Sequence, residues 1–424
     1  MAKSTTACLI AAALWLAFSP AEPLAAENGP QALTLEQCIE LSLVRNPLWL
    51  SAEDDYQASL ARVRQAKEFA QPNLDFDSDL QPGFMSFRQA GESYLGVSQT
   101  IDFPGKRSLR GKIAALESRE YLADKDRLRL DLVFQVKDAF YSVLLAVEKR
   151  SYALQDLELA RDFLGKAEAK FEAGDIARVE AVRAGVEVSK AATAVKLADN
   201  DVLLAKARLN YLLGRNKFEP LEVTGGLARA AVPIDRESLV QQAIQFRPET
   251  VKAAARLEGE SGRKKEAALS YLPDFDLGVS RHRITGEATT WDFTLSFPIP
   301  LFFWQPARGR IAEARANIMS LERQSEDLRN LIALEVEQAC LGAAAAGSQI
   351  SLFEKEILTQ AEDVYNLILF SFEEGEIGGL ELIDARRTLV EARKAYADAL
   401  YTYNMTLAVL ERSVGRPLEG VDHE

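Results

Sequence analysis

Few residues of this 424-residue chain are of types that do chemistry. There are two histidines, His282 and His423, three cysteines, Cys8, Cys38 and Cys340, and four methionines. That scarcity leaves no ligand set at zinc-site spacing, no histidine-based triad and no disulfide scaffold. A phosphate-binding loop of the Walker type is also missing from the sequence. What remains is a set of carboxylates at every second position of short apolar segments. Asp75, Asp77 and Asp79 alternate with Leu74, Phe76 and Leu80; Asp274 and Asp276 alternate with Phe275, Leu277 and Val279; Asp292 lies between Trp291 and Phe293. A row of carboxylates creates a negative field that concentrates cations. The chemistry to expect is therefore the attraction of cations, without catalysis, a cofactor or a specific metal site.

The elements that carry these acids read as strands. A further segment alternates Leu95, Val97, Ile101 and Phe103 with Gly96, Ser98, Thr100 and Asp102, and the last continues through Thr294, Leu295, Ser296 and Phe297. One face is apolar and aromatic, the other small, polar or acidic. Dyads of about 8–10 residues are the pattern of transmembrane β-strands, with apolar side chains to lipid and polar ones to water. The half-buried sheet of a soluble domain shows the same alternation, and for a single strand it is the simpler account. Four such strands between long helices, behind an export signal, point to a membrane. Open sheet edges are not tolerated in hydrocarbon, and closed barrels begin at about eight strands. A chain with four must oligomerise to span. Segments Gln81–Ser93 and Arg283–Thr290 would close the hairpins on the outer side.

Composition agrees with a folded chain: 48 % hydrophobic, 24 Gly and 15 Pro. The charge of −13, from 63 acidic and 50 basic residues, argues against a nucleic-acid binder. Beyond the extreme N-terminus no run of about 18 apolar residues occurs, so no transmembrane helix is expected. The first 26 residues read as an export signal: Lys3, the apolar core Ala7–Phe18, and Ala25 and Ala26 at the cleavage site, with Ser19-Pro20-Ala21 as a competitor. Cleavage after Ala26 removes Lys3 and Glu22, so the charge stays −13; Cys8 leaves too, and no Cys stands at either cleavage point to carry a lipid. Cys38 and Cys340 remain, as one disulfide or as two separate buried thiols.

The mature chain is one unit written twice. At an offset of 201, Pro47 matches Pro248, Pro72 matches Pro273, Phe171–Ile176 matches Phe372–Ile377, and Gly214-Arg215 matches Gly415-Arg416; Arg110–Ala114 matches Arg308–Ala312 at 198. A period near 200 is a duplicated domain, far longer than a solenoid repeat. The organisation expected is a signal peptide at 1–26, a first repeat at 27–214, a linker at 215–236, a second repeat at 237–416 and a tail at 417–424. Each half gives a helix (47–70; 248–271), two strands, a very long helix (105–172; 307–373), a glycine turn and a further helix. At about 1.5 Å per residue the long helices reach on the order of 100 Å, and the two shorter helices of each half would stack to match them. Val188, Val195, Val202 and Leu209 recur every seven residues, matched by Leu389, Tyr396, Tyr403 and Leu410, with Leu400 and Leu407 between. This is a coiled-coil-like seam, shared with ordinary helical bundles.

Over essentially the whole mature chain the sequence resembles the TolC-like outer-membrane efflux proteins. Leu33-Thr34-Leu35-Glu36-Gln37-Cys38-Ile39 and the doubled strand–helix order carry that resemblance. Ser98-Gln99-Thr100-Ile101-Asp102-Phe103-Pro104-Gly105-Lys106-Arg107 resembles the motif of the heavy-metal, Czc/Cus-type branch. The fold class it implies is mainly α with a small β part. A long antiparallel coiled-coil α-barrel stands in the periplasm, and each protomer adds four transmembrane strands, completing a twelve-stranded β-barrel as a homotrimer. It implies a passive duct in the outer membrane of a Gram-negative bacterium, fed by an inner-membrane RND-type pump through a periplasmic adaptor (membrane fusion) protein.

The resemblance also assigns roles. Counted from Gly375, the family's pair of gate acids falls on Glu381 and Asp384, which three residues' spacing puts on one helix face. In a trimer they would form two stacked acidic rings, a cation-favouring constriction. The first-hairpin equivalents are Glu180 and Arg183, so the pair is not duplicated. The plainer account is solvated surface acids paired with Arg386 or Arg387. Asp75, Asp77, Asp79, Asp274, Asp276 and Asp292 would face the barrel lumen. The turns at Gly174–Val179 and Gly375–Leu380, with Gly174, Asp175, Gly375 and Glu376 at their tips, would dock the adaptor. Opening would require the inner helices to part. Cargo stays open among heavy-metal cations, drugs and a polypeptide of type I secretion; a soluble periplasmic coiled-coil adaptor is the alternative of another class.

Overall fold

Proline and glycine punctuate the two halves at equivalent points. The computed structural model describes residues 32–79, 82–84, 87, 90–229, 235–299, 302 and 304–418. The expected export signal at 1–26, Leu80, part of the expected hairpin segment 81–93, residues 230–234 of the expected linker, and 419–424 with His423 lie outside the described residues. The first half runs α1 (Leu35–Arg45), α2 (Pro47–Gln65), β1 (Asn73–Asp79), β2 (Glu92–Ile101), α3 (Lys106–Ala173) and α4 (Arg178–Leu212). The second runs α5 (Arg236–Phe246), α6 (Pro248–Leu269), β3 (Phe275–Ile284), β4 (Thr290–Ser296), α7 (Trp304–Leu352), a π turn (Phe353–Ile357), α8 (Leu358–Glu373) and α9 (Gly379–Val414).

Two short helices, α1 and α5, precede the ones anticipated. Thr34 opens α1 with a capping box, its hydroxyl accepting from the Gln37 amide while the Gln37 side chain accepts from the Thr34 amide. Pro47 cannot continue α1, so Asn46 both ends it and caps α2, accepting from the Leu48 amide at 2.9 Å. Arg247-Pro248 breaks α5 from α6 in the same way. The 68 residues of α3 give a single rod of on the order of 100 Å. Its counterpart is interrupted by the π turn. Between Arg308 and Phe372 the second half holds three more residues than the first does between Arg110 and Phe171. The π turn lies in that interval and takes up inserted length without breaking the rod.

Packing along the rods rests on alanine more than on the expected valine seam. Ala139, Ala146, Ala153, Ala160 and Ala167 on α3, and Ala184, Ala191 and Ala198 on α4, recur every seven residues and are buried. Their small size lets the helix axes approach closely, and the seven-residue period supercoils the pair. Val188, Val195 and Val202 run beside this ladder half-buried, and Leu209 closes it fully buried. On α9 the anticipated Leu389, Tyr403 and Leu410 are buried, with Leu400, Leu407 and a further ladder of Ala385, Ala392 and Ala399.

The four strands form one antiparallel meander, β1-β2-β3-β4. The halves join through β2 and β3, which pair from Glu92↔Ile284 to Ile101↔Phe275. Gly96 sits where the strands approach most closely: a Cβ there would come 2.6 Å from the Ser280 Cβ and 2.9 Å from the Val279 carbonyl oxygen. Cys38 and Cys340 are separate, free and buried. Burial pushes the Cys38 thiol up to about 12, with Arg215 pulling weakly the other way.

Candidate functional site: an acid-lined sheet face and a charged helical tip

Register turns the alternating pattern into rows across the sheet. On one face, Asp75, Gly96, Ser280 and Asp292 form one row, and Asp77, Tyr94, His282 and Thr290 the next. Asp79 stands opposite Glu92, and Asp276 pairs with Thr100, whose hydroxyl donates to it at 2.5 Å. Between the rows lies a trough of about 450 Å³, lined by Asp75, Asp77, Tyr94, Ser98, Asp276 and Ser280 among others. The opposite face carries Leu74, Phe76, Leu95, Val97, Val279, Trp291, Phe293 and Leu295, each about half to three-quarters exposed. A contiguous exposed apolar face of this kind marks a surface that meets a protein partner or a membrane.

Two expectations are refined at the ends of the strands. Asp274 precedes β3 at the strand–helix joint, where it accepts from the Phe103 amide at 2.7 Å and from Lys106 Nζ at 2.9 Å. Its charge is matched there by Lys106, so it contributes least to the field over the trough. Conversely, Glu92, Tyr94 and His282 join the acidic face without having been anticipated. His282 Nε2 lies 2.7 Å from Glu92 Oε1 and its Nδ1 3.7 Å from Asp292 Oδ2; the Tyr94 ring stacks on it at 4.0 Å, and the Tyr94 hydroxyl donates to Glu92 at 2.6 Å. Extending the two-residue alternation outward by three positions would have found all three. Among the described residues no group of three or more His, Cys, Asp or Glu side chains is arranged to hold a metal ion. No described helix is long and apolar enough to cross a membrane.

At the far end the two glycine turns are built alike. Gly174 (φ 86°) and Gly375 (φ 81°) both take the left-handed conformation that ends a helix. Asp175 N donates to the Lys170 carbonyl and Glu376 N to the Ser371 carbonyl, each at 2.9 Å. Charge ties the tips together: Lys166 pairs with Glu373 at 2.6 Å and Lys170 Nζ donates to the Glu373 carbonyl at 3.0 Å. Burial opposes the charge on Lys166, but Asp162 and Glu373 outweigh it and hold its pKa above the ordinary lysine value.

Glu381 and Asp384 stand together on the exposed face of the first turns of α9, above the buried stripe of Leu382, Ala385 and Leu389. Asp384 pairs with Arg387. Arg386 turns inward instead: it is buried, Nη1 donates to Asp156 Oδ1 on α3 at 2.5 Å, and Nη2 to Glu187 Oε2 on α4 at 2.7 Å. Glu180, one of the first-hairpin equivalents, accepts from the Gly379 amide at 3.4 Å and so caps α9 from the neighbouring hairpin. The second hairpin is thus clasped to the first. The clasp depends on partners some 200 residues away in sequence, and no local signal foretells it.

The same two-part arrangement recurs among known proteins. Residues 38–215 and again 239–416 match the family described as Outer membrane efflux protein. The chain is 26 % identical over 390 residues, 91 % of its length and 90 % of the relative's, to the cobalt-zinc-cadmium resistance protein CzcC of Cupriavidus metallidurans. A solved structure of CusC superposes with a TM-score of 0.77 at 17 % identity, covering 91 % of this chain and 93 % of that one. The outer-membrane channel OprN superposes at 0.75 with 21 % identity, covering 90 % and 89 %.

Proposed function

This chain belongs to the outer membrane efflux protein family, and on that premise we propose that it is the passive, trimeric exit duct of a tripartite system exporting heavy-metal cations. At the coarser level it is an outer-membrane channel of an efflux system and not an enzyme. The observation that carries the finer reading is the four-stranded meander itself. The outer edges of β1 and β4 have no pairing strand among the described residues, and the apolar face of the meander is bare. In hydrocarbon neither edge can stay open. Pairing β4 of one copy with β1 of the next closes a ring, and three copies give twelve strands. Exposed apolar residues on the rods, Val182, Val186 and Leu197 on α4 and Val364, Leu367 and Phe370 on α8, supply contact surface for the same neighbours.

The aligned acids would then line the lumen, and Glu381 and Asp384 would ring the far mouth as the gate. Negative charge along the path favours cations, consistent with a cargo of the kind named for the cobalt-zinc-cadmium relative. Gly174, Asp175, Gly375 and Glu376 are the proposed contacts for a periplasmic adaptor, which would couple the duct to an inner-membrane RND-type pump. The test has two arms. The protein should run as a heat-modifiable trimer in the outer-membrane fraction, and Glu381→Gln/Asp384→Asn should lower the cation preference of single channels in planar bilayers; unchanged selectivity removes the gate. Deleting the gene should lower tolerance to zinc, cobalt or cadmium; lowered tolerance to drugs alone would reassign the cargo.

A further inference from the structure

One pair of charges breaks the rule that organises the sheet. Along β3 the residues on the apolar face are Phe275, Leu277, Val279, Arg281 and Arg283. Arg281 stands between Leu95 and Trp291, and Arg283 opposite Ser93. Both are exposed, and neither has a hydrogen-bond or ion-pair partner among the described residues. Every strand acid, Asp75, Asp77, Asp79, Glu92, Asp276 and Asp292, lies on the opposite face. Closing the barrel would not supply a counter-charge either. The pairing would bring β1 against β4, whose residues on this face are Leu74, Phe76 and Ser78, and Trp291, Phe293 and Leu295.

Position along the strand says what does. At about 3.4 Å per residue, Arg281 is roughly 20 Å and Arg283 roughly 27 Å from Phe275. With the usual strand tilt of about 40°, those lengths rise about 16 Å and about 21 Å, which puts both arginines in the outer half of an apolar band about 25 Å tall, with Arg283 near its far margin and Arg281 within a side chain's reach of it. That margin is the one away from the helices, so it meets the outer leaflet. An arginine facing lipid is costly at mid-bilayer and close to neutral at the interface, and a planar guanidinium is the side chain best matched to phosphate. Trp291, nearly three-quarters exposed beside Arg281, is the amphipathic anchor typical of that depth.

We propose that Arg281 and Arg283, flanked by Trp291, form a docking site for the phosphate groups of the anionic glycolipid of the outer leaflet, one site per protomer. The inference rests on the duct reading, since it needs this face to meet lipid. In it, the sheet separates its charges: acids inside for the cargo, arginines outside for the membrane.

The experiment uses full-length detergent-solubilised trimer and two probes, bisphosphorylated lipid A and its dephosphorylated form, with binding read by native mass spectrometry. Wild type should prefer the phosphorylated lipid, and Arg281→Gln/Arg283→Gln should weaken that binding about thirtyfold, roughly fivefold per arginine. Arg323→Gln, a helix-surface charge change, should leave it unchanged. If the double variant yields no trimer, Arg283→Gln alone, at the outermost position, should lose about fivefold. Equal binding of both lipids by wild type, or equal binding by variant and wild type in trimers that still conduct, overturns the site and leaves the duct standing. A wild type that forms no conducting trimer overturns both.

Discussion

Replacing Arg386 by methionine should loosen the clasp between the two hairpins. The substitution keeps the apolar stem and deletes the guanidinium that holds Asp156 and Glu187. Breaking one side of a buried ion pair costs about 3–5 kcal/mol, because the abandoned charge stays desolvated. Here the low end applies. The Asp156 and Glu187 side chains are 16 % and 15 % exposed, and Lys190 still pairs with Glu187 at 2.8 Å. About 3 kcal/mol is roughly a hundredfold in the opening equilibrium. Hydrogen exchange by mass spectrometry on the solubilised protein should therefore show the amides of the first half of α9 exchanging roughly a hundredfold faster than in wild type. The opposite end of the helix, near the buried Lys137–Glu411 pair, should be unaffected. In planar bilayers the same variant should conduct more often in its open level. Adding Asp156→Asn and Glu187→Gln should recover much of the protection, since the loss comes from stranded charge rather than lost packing. Unchanged exchange over residues 379–393 in the Met variant would refute the clasp.

Three further outcomes follow from local geometry. Gly96→Val places side-chain atoms where a Cβ alone meets the Ser280 Cβ at 2.6 Å, so the β2–β3 pairing should fail and heat-modifiable trimers should disappear from the membrane fraction. With its thiol raised to about 12 by burial, Cys38 in a Cys340→Ser background should resist maleimide at pH 8 and label fully in denaturant; rapid labelling of the folded protein would contradict the packing. Burial would raise the pKa of Glu249, but hydrogen bonds from Arg247 and from its own backbone outweigh it and hold it low. A depressed carboxylate pKa contributes stability that is present above the unfolded value and lost as pH falls through the folded one. Glu249→Gln should therefore lower the melting temperature at pH 7 and flatten its decline below about pH 4.

Much was legible in the sequence because its carriers are local and periodic. The two-residue alternation of Leu74 through Asp79 and of Phe275 through Ser280 fixed which side chains share a face. The matched Pro47/Pro248 and Gly174/Gly375 fixed where rods start and turn, since proline and left-handed glycine act within one turn of chain. The seam was visible in its valines and missed in its alanines. Ala139 to Ala167 are unremarkable as composition and become a packing surface only when a second helix lies close enough to use their smallness.

The sequence by itself determined the strand faces, a consequence of residue order over a few neighbours, and the duplicated plan, a consequence of residue types recurring about 200 positions apart. Tertiary structure decided which charges are spent on holding the molecule together. It gave Asp274 to Lys106 at the joint, and Arg386 to Asp156 and Glu187 across the hairpins. It also left Arg281 and Arg283 without an acid on their face among the described strand residues. The physical reason is that a charge's role depends on what lies within a few ångströms of it, and here those neighbours come from some 200 residues away.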